Sequence, residues 1–170
     1  MYGRGTAYCK EVTMFRELQR KNKAISYDEC INILKEEKRG VLSVAGDGGY
    51  PYGMPMNHFY ADDGNIYFHC GKKGHRLDAL KECNKVSFCV FDEGTKTENK
   101  WALTINSVIV FGKIEIIDDI SVTCDVSDKL SRKFTCDEEY IKNEIELYAH
   151  ETLILKLIPE HICGKRVVEE

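Results

Sequence analysis

The alternation of apolar and polar residues divides the chain into short strand-like runs separated by turn signals. Strands are predicted at 41–45, 52–61, 66–70, 85–91, 102–117 and 152–158. The turns GDGG (46–49) and DDGN (62–65) are typical of hairpins. Pro55 lies inside the second run, and proline has no N–H to donate. The pattern therefore places this strand at a sheet edge or a bulge, with backbone groups left free.

Apolar residues at helical spacing predict four helices between and after these strands. Helices are expected at 27–38, from Arg76 onward, at 118–134 and at 137–148. Ser26 and Glu29 form a capping box in front of the first of them. The buried face predicted for the last helix consists of Tyr140, Ile141, Ile145 and Tyr148.

The strand order and the hairpin connections favour a mainly β fold with additional helices. We expect a six-stranded antiparallel barrel with packed helices, because the elements do not alternate as in a doubly wound parallel sheet. Gly112 predicts a bulge or a bend in the long strand, and Pro159 is expected to end the last strand. Residues 161–166 are then a short basic tail. Residues 1–13 are expected to be a loose leader, and residues 14–170 a single domain.

Composition narrows the function classes. The 170 residues are 43% hydrophobic and 31% charged, with a formal net charge of −4. This balance does not favour general disorder, nucleic-acid binding or a membrane surface. No apolar run has the length of a membrane span, and the N-terminus lacks the apolar segment of a secretory signal. We therefore expect a cytoplasmic protein.

Eight cysteines are present, but they are not arranged as a metal site. No C-x-x-C pair occurs and no Cys/His cluster has zinc-finger spacing. Several of the cysteines lie among apolar neighbours, where a free thiol acts as a small hydrophobic residue. We expect reduced thiols and no bound metal.

The segment Gly71-Lys72-Lys73-Gly74, followed by His75 and Arg76, is the most informative stretch. It joins a short strand to a helix start, where backbone N–H groups have no partner within the helix. These N–H groups, together with the three cations Lys72, Lys73 and Arg76 within five residues, could bind a phosphate. A solvated surface turn explains the same residues equally well.

Three further side chains have two interpretations each. His69 ends a strand and either faces a ligand or is only hydrogen-bonded. Trp101, the only tryptophan, either stacks on a flat ligand or is a half-buried core residue. Ser107, in the middle of the long strand, either offers a hydroxyl to a ligand or is an ordinary strand serine.

Four segments resemble, in order, the pyridoxamine 5′-phosphate oxidase-like flavin-binding split barrels. They are PYGMPMNHFY (51–60), IYFHCGKKGHRLDAL (66–80), VSFCVF (86–91) and NSVIVFGKIEII (106–117). The likeness covers residues 15–166 and is closer to the nitroimidazole-resistance (Nim) branch. Its most specific motifs are Tyr67-Phe68-His69 with Gly74-x-Arg76-Leu77, Ser107-Val108-x-Val110-x-Gly112, and the tail Gly164-Lys165-Arg166.

The resemblance implies a homodimer with FMN at the subunit interface and names the residues that would bind it. These are Met54, Pro55, Met56 and Asn57 beside the ring, His69 next to the flavin, Lys72, Lys73, Gly74, His75 and Arg76 at the phosphate, and Trp101, Ser107 and Val108 from the second subunit. Family members commonly carry lysine where this chain has Arg76, so the positive charge at this position is the same.

Three functions are compatible with this resemblance. The first is an FMN-dependent oxidoreductase that passes electrons from NADH or NADPH to a small acceptor such as a nitroaromatic, with His69 as the catalytic residue. The second is a non-catalytic flavin- or haem-binding protein. Pyridoxamine 5′-phosphate oxidation is less favoured, because the short C-terminal tail has no counterpart of the arginines of those oxidases.

Overall fold

The structure is a computed structural model that describes residues 14–96, 99 and 101–169. The expected leader at 1–13, together with Cys9, lies outside the described residues. All seven cysteines among the described residues are free thiols, as the sequence predicts.

The described elements follow the predicted order closely. The helices are α1 (Tyr27–Glu36), α2 (His75–Glu82), α3 (Ile120–Ser131) and α4 (Glu138–Tyr148). The strands are β1 (Arg39–Ala45), β2 (Pro51–Asn57), β3 (Phe59–Tyr60), β4 (Ile66–Gly71), β5 (Lys85–Phe91), β6 (Thr95–Lys96), β7 (Leu103–Ile117) and β8 (Thr152–Val168). Two of the eight strands have only two residues. The six longer strands are those that the sequence predicts.

The strands form one antiparallel sheet in the order β2-β1-β5-β7-β8-β4-β3, with β6 paired to β7. The sheet curls around an apolar core that includes the fully buried side chains of Leu42, Phe68, Phe88 and Leu155. This confirms the predicted split barrel with packed helices. β2 is an edge strand, as Pro55 indicates, and Pro55 itself pairs with Val41 of β1.

The two edges of the sheet are joined by a single buried residue. Asn57 ends β2 and Phe59 begins β3, so the chain crosses the split of the barrel at His58. The His58 side chain is completely buried, and its Nε2 lies 2.8 Å from the carbonyl oxygen of Leu34 in α1. A ring N–H donates to that oxygen, which ties the crossing to α1. His58 therefore has a structural role.

The prediction that Pro159 ends the last strand is wrong. β8 continues through Pro159 to Val168 and pairs with β7 from Ile154 onward. The register shifts between Phe111 and Gly112, so that Gly112 faces Pro159 while Phe111 faces His161. The extra residue of this bulge is Glu160 of β8, and Pro159 lies next to it, where the ladder is already irregular.

The expected basic tail is consequently part of the sheet and packs against α1. The carbonyl oxygen of Gly164 accepts a hydrogen bond from the N–H of Ile25 (3.2 Å). A Cβ at position 164 would lie 2.6 Å from the Sγ of Cys30, so only glycine fits there. Arg166 pairs with Glu29 at 2.8 Å and also donates to Asn106. The Gly164-Lys165-Arg166 tail thus fastens the first helix to the sheet.

We expect the Ser26→Ala variant to lose about 1 kcal/mol of unfolding free energy. Ser26 accepts a hydrogen bond from the N–H of Glu29, and the Glu29 carboxylate accepts one from the N–H of Ser26 (2.8 Å). Urea denaturation measures the loss. Ser121→Ala is a suitable control, because that exposed serine of α3 is not the cap of its helix. Equal losses in the two variants would contradict a role for the cap.

Candidate functional site

The loop between β4 and α2 forms a small basic cavity at a helix start. Gly74 precedes the helix with φ 119°, a backbone conformation that favours glycine. Its carbonyl oxygen accepts from the N–H groups of Leu77 and Asp78. The N–H groups of His75 and Arg76 have no acceptor among the described residues, as is usual in a first helical turn. The adjoining cavity has a volume of about 240 Å³.

Arg76 lines this cavity and is half-buried. Its Nε lies 3.1 Å from the Sδ of Met54, and its side chain also contacts Cys70. Within the described part of the chain, no carboxylate comes within 4.0 Å of the guanidinium. A half-buried arginine without an acidic partner has donors available for an anion.

The remaining residues of the basic stretch do not all point to the same place. Lys73 lines the cavity beside Arg76. The His75 ring stacks on Tyr52, with ring centroids 4.5 Å apart, and its Nε2 lies 3.4 Å from a carboxylate oxygen of Asp47. Lys72 lies elsewhere: its Nζ donates to Asp118 at 2.8 Å and lines a different cavity at the start of α3. The three predicted phosphate cations are therefore separated into two groups.

Edge strand β2 presents mainly backbone to the outside of the barrel. The Met54 and Met56 side chains are buried in the core, while Pro55 is exposed and Asn57 half-buried. The two methionines thus offer a ligand only their peptide groups. Tyr52, which sequence reasoning missed, joins this strand to α2 through its stacking on His75.

His69 projects from β4 next to Asn57, and both line a second cavity of about 350 Å³. The side chain is exposed to solvent, and the neighbouring protein atoms desolvate its ring only on the packed side. This desolvation, together with the positive charge of Arg76, lowers the pKa of His69 below its ordinary value of 6.5. The imidazole is consequently neutral at pH 7 and can both donate and accept a hydrogen bond.

Trp101, Ser107 and Val108 line neither of these two cavities. Trp101, two residues before β7, is 73% exposed, so its interpretation as a half-buried core residue is wrong. Ser107 is half-buried and pairs with Phe91 and Lys165, and Val108 is fully buried. Within one chain, these three residues do not meet His69 or Arg76.

Helices α3 and α4 form the opposite wall of the second cavity, and the sequence did not indicate it. Of the face predicted to be buried in α4, Ile141 is 2% exposed, but Tyr140 and Tyr148 are 54% and 57% exposed. Both tyrosines line the cavity, so the prediction that they belong to the core is wrong. The helical spacing of the aromatic residues was the available signal, but it does not distinguish a core face from a cavity wall.

Neither a metal site nor a membrane-spanning helix is found among the described residues. They contain no group of three or more His, Cys, Asp or Glu side chains that could hold a metal ion. Within the same residues, no helix combines the length and apolar character needed to cross a membrane.

Comparison with known proteins identifies the family. Residues 26–166 match the family described as pyridoxamine 5′-phosphate oxidase. None of the curated proteins compared with the chain matches it.

Solved structures with the same fold include three from bacteria. A protein of Bacteroides thetaiotaomicron with a suggested role in 5-nitroimidazole antibiotic resistance has a TM-score of 0.70 and 20% identity, over 86% of this chain and 90% of that one. A conserved hypothetical protein of Mycobacterium tuberculosis has a TM-score of 0.74 and 18% identity, over 88% and 90%. An FAD-binding protein of Mesorhizobium loti has a TM-score of 0.62 and 21% identity, over 85% and 97%. These likenesses support the split-barrel fold.

Proposed function

The chain belongs to the pyridoxamine 5′-phosphate oxidase family, and we propose on that basis that it is an FMN-binding oxidoreductase. It would pass electrons from NADH or NADPH to a small acceptor, for example a nitroaromatic compound, in the cytoplasm. One observation carries the cofactor assignment: the half-buried Arg76, without an acidic partner among the described residues, lines a cavity at the free N-terminus of α2.

The chemistry of the residues at the two cavities and along β2 supports FMN as the ligand. Arg76, Lys73 and the N–H groups at the start of α2 would bind the phosphate, which is the ligand that a helix start and a guanidinium favour. The flavin ring would lie along β2, where an edge strand offers peptide groups and Pro55 offers an apolar surface. Lys72, held by Asp118, would contribute less to the phosphate site.

FMN would supply the redox chemistry, and the protein would position it and the acceptor. His69 lies on the strand that leads into the phosphate loop and faces the second cavity. As a neutral imidazole it would orient an acceptor by a hydrogen bond and hold a proton close to it. The walls formed by α3 and α4 would limit the access of water.

An apolar patch on the outer face of the sheet supports the proposal that the protein is a homodimer. The register of β1, β5 and β7 places Val41, Cys89 and Ile109 next to one another on that face. Phe91 (58% exposed) and Phe111 (36% exposed) extend the same face. A second copy of the chain would cover these residues. It would also bring its Trp101 and Ser107 toward the cofactor, since they do not reach the cavities of their own chain.

The proposed function is tested by titrating the purified protein with FMN and then adding NADH or NADPH without oxygen. We expect stoichiometric FMN binding, seen as quenched flavin fluorescence, and loss of the flavin colour with one of the two donors. Light scattering in solution tests the dimer. Bound FMN that keeps its colour with both donors and with every acceptor would indicate a non-catalytic flavin protein instead. Absence of FMN binding would contradict the proposal as a whole.

We expect the His69→Gln variant to lower the turnover number about tenfold, because one hydrogen bond to the acceptor is weakened. The wild-type rate should fall as the pH decreases through the lowered pKa of His69, since protonation removes the neutral imidazole. His69→Gln should lose this pH dependence, measured as kcat from pH 5 to 8 (roughly the range in which histidines titrate). An unchanged pH profile in the variant would contradict the assignment.

A further inference from the structure

The segment that precedes α1 lies on the outer face of the sheet and is fastened at both ends. At its beginning, the ring of Phe15 stacks on Phe111 and on His161, with ring centroids 5.5 and 5.0 Å apart. At its end, Ala24 forms an antiparallel bridge with Lys165 of β8. The side chains between these two contacts are therefore held close to the last residues of β8.

A cavity of about 280 Å³ lies between this segment and the end of β8. Three of its lining residues are cations, and the other three are uncharged: Arg20, Lys23 and Lys165, with Leu18, Gln19 and Val167. Lys23 is half-buried, while Arg20 and Lys165 are exposed. The volume suits one part of a nucleotide, since pockets that enclose a whole drug-sized ligand measure about 300–1,000 Å³.

The three cations have no acidic partner in the part of the chain that the structure describes, where no carboxylate lies within 4.0 Å of them. Two neighbouring cations differ in this respect. Lys21 pairs with Glu17 at 2.5 Å, and Arg166 pairs with Glu29 at 2.8 Å. Three like charges around one cavity repel one another and give it a positive potential, in a chain whose formal net charge is −4. An anion in the cavity would remove this repulsion.

The cavity adjoins the face of the sheet that carries Ser107. Lys165 is opposite Ser107 in the register of β7 and β8, so the two side chains lie on the same face. Burial raises the pKa of the Cys89 thiol, and the ammonium group of Lys165 acts in the opposite direction, which places that group over this face. Ser107 is proposed to reach the cofactor of a second subunit. The three cations would then lie next to that flavin site as well.

We infer that the cavity of Arg20, Lys23 and Lys165 binds the 2′-phosphate of NADPH, so that NADPH is the preferred electron donor. NADPH differs from NADH only in this group, which carries a charge of about −1.5 to −2 at pH 7. Lysine and arginine bind such a group by charge-assisted hydrogen bonds. The phosphate site itself depends only on residues of this chain. Its assignment to the donor rests on the proposed function, because the donor must bring its nicotinamide to the flavin.

Two nucleotides that correspond to fragments of the two donors test the phosphate site: adenosine 2′,5′-bisphosphate for NADPH and adenosine 5′-monophosphate for NADH. Isothermal titration calorimetry at pH 7, without FMN, measures both with wild type and with the double variant Lys23→Gln/Lys165→Gln. We expect wild type to bind the bisphosphate about tenfold more tightly than the monophosphate. The double variant should lose most of this preference. Circular dichroism confirms that the variant is folded.

Lys21→Gln is the matched control, because Lys21 belongs to the same short helix as Lys23 (Lys21–Lys23), is held by Glu17 and does not line the cavity. It should keep the wild-type preference. Three results would overturn the inference. They are equal binding of the two nucleotides by wild type, the same loss in Lys21→Gln as in the double variant, and binding of inorganic phosphate as tight as that of the bisphosphate.

The assignment to the donor is tested with the FMN-loaded protein, as the rate of flavin reduction without oxygen. We expect kcat/KM for NADPH to exceed that for NADH about tenfold in wild type, and the double variant to reduce this ratio to about one. FMN affinity should be the same in both proteins, since the cofactor phosphate is assigned to Arg76. Equal rates with the two donors in wild type would overturn the assignment. If neither donor reduces the flavin, the proposed function fails, while selective binding of the bisphosphate through Lys23 and Lys165 would still establish the phosphate site.

Discussion

Replacing Arg76 with alanine is expected to weaken FMN binding about a hundredfold and to leave the fold intact. Arg76 lines the basic cavity at the start of α2, and no carboxylate competes for its guanidinium among the described residues. Removing it deletes two charge-assisted hydrogen bonds to a phosphate, each of which contributes roughly 1.5 kcal/mol. Quenching of FMN fluorescence on titration measures the affinity, and thermal unfolding monitors the fold.

Two control variants separate the charge from its position. Lys72→Ala removes a neighbouring cation whose Nζ is held by Asp118 at 2.8 Å, and it should change FMN affinity much less. Arg76→Lys keeps the charge but loses the planar fork of donors, so its affinity should be intermediate. Equal losses in Lys72→Ala and Arg76→Ala would show that the loop acts through its general positive potential. That result would contradict a specific phosphate site at Arg76.

The elements of the fold could be predicted from the sequence because their signals are local. The Ser26–Glu29 capping box, the glycine turns and the alternation in residues 85–91 each act within a few residues. The irregularity predicted at Gly112 is present as a register shift between β7 and β8, although its extra residue, Glu160, lies in β8. Another local signal, the proline at 159, predicted a wrong end for β8. The strand continues because Pro159 lies at the register shift, opposite Gly112. Which residue faces a bulge depends on strands that are far apart in the sequence.

The site was predictable only in part, for a similar reason. Gly74 and Arg76 follow from the strand–loop–helix pattern, and the structure places them at one cavity. The direction in which a side chain points also depends on residues far away in the sequence. Lys72 and Lys73 are neighbours, yet Lys72 lies on another surface because its Nζ donates to Asp118. The tyrosines of α4 have core spacing but line a cavity, because no further element of the described residues covers them. Trp101 and Ser107, which are proposed to contribute to the site of a second subunit, line neither cavity of their own chain.

His58 should make the stability of the protein depend on pH between about 6.5 and 5. Complete burial, with the charge of Lys133 as a smaller cause, lowers the pKa of His58 from 6.5 to about 3. The unfolded chain therefore binds a proton below pH 6.5 that the folded protein does not bind. Stability is fully present above 6.5 and is lost as the pH falls toward 3. The loss by pH 5 is about 2 kcal/mol.

The variant His58→Gln tests this expectation, because its amide can still donate to the carbonyl oxygen of Leu34 but does not titrate. Urea unfolding at several pH values should show that the variant lacks most of the wild-type decrease in unfolding free energy between neutral pH and pH 5.

Carboxylates with lowered pKa values, such as Asp63, lose stabilisation only at more acidic pH. His69, whose pKa is also lowered, contributes in the same window, so His69→Gln is the matched comparison. His69 is accessible to solvent, and its share should be the smaller one. If His58→Gln shows the same dependence of stability on pH as wild type, His58 can accept a proton in the folded protein. Its complete burial against α1 argues against that outcome.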